Sequence, residues 1–445
     1  EERGRVMEDM NATPMANRFA IGLFGKRNSG KSSLINALTG QNVAVTSEVP
    51  GTTTDPVRKA IELLPIGPVV LIDTAGLDDT GGLGALRVEK TYEVLRKCNL
   101  AVVVMDVEAG PTRYEEDFIR QLRQRKIQAI LVLNQCDKRM PGTKEVGQIQ
   151  KQFGTPVVCA SAKSGFGIDA LKQQIIENSD MGDTEPPLAS DLIREGEVAV
   201  LVTPIDKSAP KGRLILPQQQ TIRDIIENNA IAVVTKENEL ARTLERLNTP
   251  PAIVITDSQA FQKVSEETPS EIPMTSFSIL FARQKADLAE MVRGAKRIET
   301  LSPGDKVLIA EGCTHHRQSD DIGTVKIPRW IRKSAGDGIA FEWTSGAGYP
   351  KDLTDYALIV HCGGCMLNRR EMQYRVETAR QQGVAVTNYG VLIAYVLGIL
   401  PRALKPFPEA CLALAEMESD WPAWKVSMYN DCFTTTAHAR KLEVK

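Results

Sequence analysis

The chain has no long apolar run. Its greasiest stretch, "YGVLIAYVLGIL" at 389–400, has the length of a buried core helix and falls short of the roughly 20 residues that cross a bilayer. It opens "EERGRVMEDM", without the basic start and apolar centre of a signal peptide. A soluble chain in a reducing, cytoplasmic compartment, with no membrane partner, is expected. Net charge is also missing, with 54 Lys and Arg against 56 Asp and Glu, so no global field favours nucleic acid or an anionic lipid surface. Aromatic residues make up only 5% of the chain, and no basic-aromatic segment marks an RNA-binding face. Eight cysteines are present, but Cys98, Cys136 and Cys159 are scattered while Cys313, Cys362, Cys365, Cys411 and Cys432 crowd the last third. That is not a secreted disulfide framework.

A chain of 445 residues should split into two or three domains, each burying its own core. From 19 to 178 apolar strand-like runs ("RFAIGLFG", "VVLIDTAG", "LAVVVMD", "AILVLNQ", "PVVCASA") alternate with amphipathic helical ones, the pattern of a mostly parallel sheet wrapped by helices. The expected layout is an N-terminal extension (1–18), this α/β domain (19–178) and a Pro-bearing linker (179–191). A second α/β module (192–272) follows, without a concentration of catalytic residue types, and is read as an association module. A third α/β domain (273–445) begins near "SFSILFA". No internal sequence repeat is found, although the last two segments share a coarse strand–helix rhythm.

"GKRNSGKS", Gly25 to Ser32, matches G-x-x-x-x-G-K-[ST] between a strand and a helix, the context that the phosphate-loop motif requires. Glycines let backbone N–H groups close around phosphates, Lys31 brings a point charge to the outer phosphates, and Ser32 can ligate magnesium. "DTAG", Asp73 to Gly76, ends a strand where Asp73 can reach the magnesium and the Gly76 amide can sense the terminal phosphate. In "NQCD" the Asp137 carboxylate can accept from both the ring N–H and the exocyclic amine of guanine, a donor pair that adenine lacks, so the site should prefer GTP or GDP. "SAK" would close over the base. The candidate nucleotide-binding residues are Gly25, Asn28, Ser29, Gly30, Lys31, Ser32, Ser33, Asp73, Asn134, Asp137, Ser161, Ala162 and Lys163.

These four loops, in this order, resemble the GTPase superfamily across residues 19–178, and "PGTTTDP" at 50–56 resembles switch I of its TrmE–Era branch. The resemblance implies a catalytic set of Lys31, Thr53 and Gly76, magnesium held by Ser32, Thr53 and Asp73, and potassium beside Asn28. Two positions depart from the pattern. Gln135 stands where a Lys stem usually flanks the base and steadies the phosphate loop, and Leu77 stands where many small GTPases orient water with Gln. Slow intrinsic hydrolysis is expected. Cys136 and Cys159 are read as small packing residues.

Two clusters of soft ligands remain, "CTHH" at 313–316 and "HCGGC" at 361–365, each after a strand. Ligands collect outside the carboxyl ends of open parallel sheets, so one fold could join Cys313, Cys362 and Cys365 with His315 and His361. Ligand chemistry alone admits zinc, a 4Fe-4S cluster with one open iron corner, or a Cys362–Cys365 dithiol couple. Gly363 and Gly364 suit any of these, because they let amides approach sulfur. Cys411 and Cys432 are read as packing residues.

A TrmE–Era-type GTPase domain, a middle module and a C-terminal C-x-H…H-C-x-x-C pattern together resemble the HydF family of FeFe-hydrogenase maturation GTPases over nearly the whole chain. The resemblance implies a 4Fe-4S cluster on Cys313, Cys362 and Cys365. His315 and His361 would either bind iron or hydrogen-bond to sulfur or to an incoming group. It further implies a homodimer formed by the middle module. The protein would be a scaffold that receives a diiron precursor made by radical-SAM maturases and delivers it to apo FeFe-hydrogenase. Two other readings stay open: a TrmE/Era-like GTPase with a structural zinc site acting on tRNA or ribosome assembly, and a redox-sensing switch.

Overall fold

The computed structural model describes residues 15–40, 57–74, 82–179, 186–204, 214–313, 321–346 and 348–417. The chain divides into two compact units, 1–184 and 185–445. The first is built from β1 (Phe19–Phe24), α1 (Lys31–Thr39), β2 (Arg58–Leu63), β3 (Gly67–Asp73), α2 (Gly82–Lys97) and β4 (Leu100–Asp106). It continues with α3 (Arg113–Gln124), β5 (Gln128–Asn134), α4 (Thr143–Phe153), β6 (Val157–Cys159) and α5 (Ile168–Ser179). One six-stranded sheet runs β2-β3-β1-β4-β5-β6, parallel except for β2 against β3. β4, "LAVVVMD", is apolar nearly throughout because it lies mid-sheet with both faces covered. Leu34 and Ile35 of α1 pack with Leu171 and Ile175 of α5 on one face, and Phe118, Leu122 and Ile149 of α3 and α4 cover the other. The α/β class expected from the alternation holds.

The second unit opens with β7 (Val198–Val202), α6 (Leu216–Glu227), β8 (Ile231–Thr235), α7 (Leu240–Arg246), β9 (Ile253–Thr256), α8 (Phe261–Glu267), β10 (Met274–Ser276) and α9 (Phe277–Lys285). It goes on through α10 (Leu288–Ala295), β11 (Lys306–Glu311), α11 (Ile327–Ala335), β12 (Ala340–Ser345), β13 (Leu358–His361) and α12 (Arg369–Gln381). β14 (Ala385–Asn388), α13 (Tyr389–Val396), α14 (Leu400–Leu404) and α15 (Pro408–Glu416) complete it. Two all-parallel sheets of four strands result, β10-β9-β7-β8 and β12-β11-β13-β14. Met274–Ser276, past the expected domain boundary at 272, is the fourth strand of the middle sheet, and "SFSILFA" runs from the last residue of that strand into helix α9. A single core nonetheless runs through both modules, with Val200 and Phe281 in the same apolar cluster as Ile359 and Leu404.

The strand register turns the coarse strand–helix rhythm shared by the last two segments into a likeness of topology. In the middle sheet Ala199 pairs with Ile253 and Val254 with Met274. In the third, Val307 pairs with Leu358 and Ile359 with Val386. Both sheets place the first strand between the second and third, so their strand orders match one for one. The helices that follow also match: "MTSFSILFA" and "VTNYGVLIA" each turn from strand into helix at a polar cap. Ser276 Oγ accepts from Ile279 N at 3.2 Å and Asn388 Oδ1 from Val391 N at 2.8 Å. The spacing drifts, from 108 residues for Ala199 and Val307 to 105 for Ile253 and Leu358 and 112 for Met274 and Val386. A search at a fixed period misses such a repeat. The two copies meet at equivalent positions, where Gly390 N donates to Ser278 Oγ at 3.1 Å and Asn388 Nδ2 to the Ser278 carbonyl at 2.7 Å. Gly390 is required there, because an added Cβ would lie 2.8 Å from Ser278 Cβ.

Candidate functional site

The first site lies at the carboxyl edge of the six-stranded sheet, in the loops after β1, β3, β5 and β6. Gly30 turns the phosphate loop into α1 with φ 88°, and a Cβ there would strike Asn134 Nδ2, so only glycine fits. Lys31 is buried and its Nζ donates to the carbonyls of Gly25 and Lys26 at 3.0 and 2.8 Å. Phosphate oxygens would take the place of those carbonyls. Ser32 Oγ donates to Asp73 Oδ2 at 2.5 Å, while buried Asp73 Oδ1 has no partner. Burial raises the Asp73 carboxyl, and the Ser32 bond and the Lys31 charge pull it back. The buried Ser29 hydroxyl is likewise unpartnered. An orphan carboxylate oxygen beside a serine hydroxyl, with a buried lysine ammonium near by, fits Mg²⁺ and nucleotide phosphates.

Asn134 joins three loops: its Nδ2 donates to the Ser29 carbonyl at 2.9 Å and its Oδ1 accepts from Ala162 N at 3.2 Å. Asp137 accepts from Ser161 Oγ at 2.6 Å, which holds its carboxyl below the usual range. Lys163, Asn28 and Ser33 line the exposed rim. Gln135 does not forfeit the link to the phosphate loop that was expected to go with the missing lysine. Its Nε2 donates to the Asn28 carbonyl at 3.1 Å, replacing an ammonium by a neutral amide at the same joint. Cys136 and Cys159 pack against the core and against each other, and desolvation raises both thiols, that of Cys159 to about 11. Thr53, Gly76 and Leu77 lie outside the described residues.

The second site lies where β11 and β13 run side by side in parallel, Ala310 opposite His361, at the point where the strand order of the third sheet reverses. That is the crevice where open α/β sheets bind ligands. Cys313 follows β11 by two residues, and Cys362 follows β13 at once, its N–H donating to the Ala310 carbonyl at 2.8 Å. Cys362 Sγ accepts from Gly312 N at 3.1 Å and Gly364 N at 3.4 Å, so the glycines flanking the cysteines aim amides at sulfur. Burial pushes the Cys362 thiol up to about 12, with the charges of Cys365 and Cys313 adding to it. Burial also raises Cys365. Thiols at the ends of two adjacent strands, with two amides aimed at one of them, suit an iron–sulfur group in type. Among the described residues, no three His, Cys, Asp or Glu side chains stand in the geometry of a bound metal ion. His315 and His316, and Cys432 and His438, lie outside the described residues.

His361 is described, and it faces away from this task. It is 1% exposed, its Nδ1 bonds the Cys362 carbonyl at 2.9 Å, and its Nε2 accepts from Arg375 Nη1 at 3.0 Å. With both ring nitrogens engaged, His361 offers no donor to a metal in this arrangement. Burial, then the Arg375 charge, depress its pKa to about 3, so the ring is neutral. Arg375, equally buried, also donates to Glu371 Oε1 at 3.1 Å and the Gly346 carbonyl at 2.6 Å and stacks on Tyr349. This brace fixes the start of the "HCGGC" loop from behind.

Three residues near the cysteines escaped the sequence reading. Glu311, 2% exposed, ends β11 two residues before Cys313 and accepts from the Tyr389 hydroxyl at 3.2 Å. Tyr389 is in turn raised by burial and then by the charges of Cys362 and Glu311. A carboxylate closing an otherwise apolar strand was the available signal for Glu311. Lys285, on α9, reaches the loop after Cys365 and had no local signal. Cys98 and Cys411 are buried, Cys411 Sγ bonding the Leu404 carbonyl at 3.0 Å.

Comparison with known proteins matches the first unit to GTPases and the second to another lineage. The family model for 50S ribosome-binding GTPases matches residues 20–135. The tRNA modification GTPase MnmE of Laribacter hongkongensis is 34% identical over 156 residues, 35% of this chain and 33% of that protein. GTPase Der of Wolinella succinogenes is 34% identical over 179 residues, 38% of this chain and 37% of that one. The chain thus spans about a third of the length of these curated relatives. Among solved structures, the G domain of the T. maritima FeoB iron transporter matches 37% of this chain and 99% of its own at 27% identity, with a TM-score of 0.30. No described helix is long and apolar enough to cross a membrane. The hydrogen maturase F dimerization model matches residues 188–286 and the hydrogen maturase F tetramerization model residues 289–406. With both of these domains, in succession behind a GTPase domain, the chain belongs to the hydrogen maturase F family.

Proposed function

We propose that this protein is a GTP-hydrolysing scaffold for assembly of the FeFe-hydrogenase active site. It would hold a 4Fe-4S cluster through Cys313, Cys362 and Cys365, receive a diiron precursor as cargo from radical-SAM maturases and pass it to apo-hydrogenase. The observation that carries the reading is the pairing in one chain of a phosphate loop with a switch-point crevice that joins cysteines from adjacent strands. When bound, the cluster supplies iron with one corner open to an exchangeable ligand. The chain's own part is to desolvate the sulfurs, aim the Gly312 and Gly364 amides at Cys362, and hold Glu311 and Tyr389 beside them.

At the nucleotide site, Lys31 would leave the Gly25 and Lys26 carbonyls for the phosphates, and Ser32 and Asp73 would share Mg²⁺ with Thr53. Potassium would sit beside Asn28. GTP orders switch loops and hydrolysis releases them, so the nucleotide state gates partner docking or release. Dimerisation has a ready edge in β8, the outer strand of the middle sheet, which leaves Ile231 50% and Val234 43% exposed. An unpaired apolar edge is suited to a second copy of itself.

Iron, sulfide and zinc counts on anaerobically reconstituted protein test the cluster reading. About four irons per chain are expected, and stoichiometric zinc without iron overturns it in favour of a structural metal site. Lys31→Ala tests the gate: GTP turnover should fall at least about 100-fold while iron content stays. Unaltered partner exchange kinetics in GTP and GDP would remove the gating role.

A further inference from the structure

Helix α9 closes the middle module, yet its last residue lies beneath the cysteine loop of the third. Lys285 is 2% exposed, and its Nζ donates to the carbonyls of Gly364 at 3.2 Å, Cys365 at 3.3 Å and Leu367 at 2.7 Å. It also lies over the Phe281 ring, 5.1 Å from its centroid. Near the other end of the helix, Ser278 lies beneath Gly363, where an added Cβ would sit 3.7 Å from Ser278 Cα. α9 therefore underlies the whole Cys362–Leu367 turn.

A desolvated ammonium costs several kcal/mol unless its donors are satisfied, and an apolar side chain would fill the same space more cheaply. Carbonyl oxygens of the turn accept from the Lys285 ammonium. One peptide links the ammonium to the sulfur site: Gly364 gives its carbonyl to Lys285 and its N–H to Cys362 Sγ.

We propose that Lys285 is a positioning residue of the cysteine site, contributed by the middle module, which fixes the turn after Cys362 and places a positive charge behind the bound group. The site is then a composite of two modules rather than the property of the third. The proposal rests on the iron–sulfur reading above. Its sign follows from charge: a nearby cation favours the more negative, reduced state, so removing it drives the midpoint potential down.

The test uses full-length protein, reconstituted anaerobically, as Lys285→Gln, which keeps hydrogen-bond donors without charge, and Lys285→Arg, which keeps the charge. Iron per chain, the spectrum of the reduced protein and its redox midpoint are read in each, with oligomer mass and urea unfolding of the iron-free proteins as fold checks. Lys285→Gln should hold iron with a more negative midpoint and an altered reduced spectrum, and Lys285→Arg should stay nearer the unaltered protein. If Lys285→Gln retains both potential and spectrum, or Lys285→Arg shifts as far as it does, the proposal fails and Lys285 is an anchor of shape alone. If Lys285→Gln does not fold, a midpoint in Lys285→Arg equal to that of the unaltered protein upholds the proposal, and a shifted one overturns it. Unaltered protein that takes up no iron overturns the cluster reading itself.

Discussion

The middle and third modules carry the same sheet in the same register and opposite chemistry. Where the third has Glu311 at the end of its first strand and Cys362 to Cys365 after its third, the middle has Thr203 and Asp257 to Ala260. Both have a crevice where the strand order reverses, but the middle one is lined with hydroxyls and a carboxylate that caps its own turn, Asp257 Oδ1 accepting from Gln259 N at 3.0 Å. The fold supplies the crevice and the strand ends, and the residues placed there set its chemistry, thiols in one module and hydroxyls in the other. The copy without sulfur keeps an apolar edge strand and gives a helix to its sibling.

The sharpest way to break this comparison is to cut equivalent positions. Cys362→Ala should abolish most iron uptake, and Asp257→Ala at the matching position should leave it intact while costing about 1 kcal/mol of stability through the lost cap. Equal iron loss in both would mean that the duplicated crevices are not chemically distinct.

Acid should next separate the copies. His361 is neutral when folded, with a pKa of about 3, and titrates near 6.5 when unfolded. Below pH 6.5 the unfolded chain binds the extra proton, so this contribution is whole above 6.5 and falls by about 1.4 kcal/mol per pH unit down to about 3. Thr256, its counterpart, has no such proton. Urea unfolding of iron-free protein between pH 6.5 and 4.5 should therefore lose a slope of that size in His361→Gln. An unchanged slope would show that the ring is not buried neutral.

Where the copies touch, Gly390→Val should overpack the Ser278 contact and destabilise by about 1–3 kcal/mol, and Ser278→Gly on the other side by about 1 kcal/mol. Urea midpoints check both; a harmless Gly390→Val would mean that the two helices are not in close contact. The smallest effect belongs to the first unit. Gln135→Ala removes one neutral hydrogen bond and should weaken GTP binding by no more than about tenfold, measured by nucleotide titration, and a larger loss would make Gln135 a base contact in its own right.

The nucleotide site was legible because its chemistry is local. A phosphate loop is one strand, one turn and one helix, so Gly25 to Ser33 carry their own context, and Asp73, Asn134, Asp137 and Ser161 each close a readable strand. The cysteines were legible as candidates from their types and their places after strands. What encloses them was not. Lys285 comes 80 residues ahead of Cys365 in the chain, Arg375 looks like any other helix cation until its burial is known, and His361, the nearest nitrogen to Cys362 in sequence, turned out to be held by that arginine. The repeat was hidden because loops of unequal length destroy periodicity while strand register survives.

Gln135 has a consequence for how the protein meets its medium. The joint between base loop and phosphate loop is a neutral amide on a carbonyl, so dissolved ions have no charge there to screen. Rising ionic strength would loosen the grip of Lys31 on the phosphates and leave that joint in place.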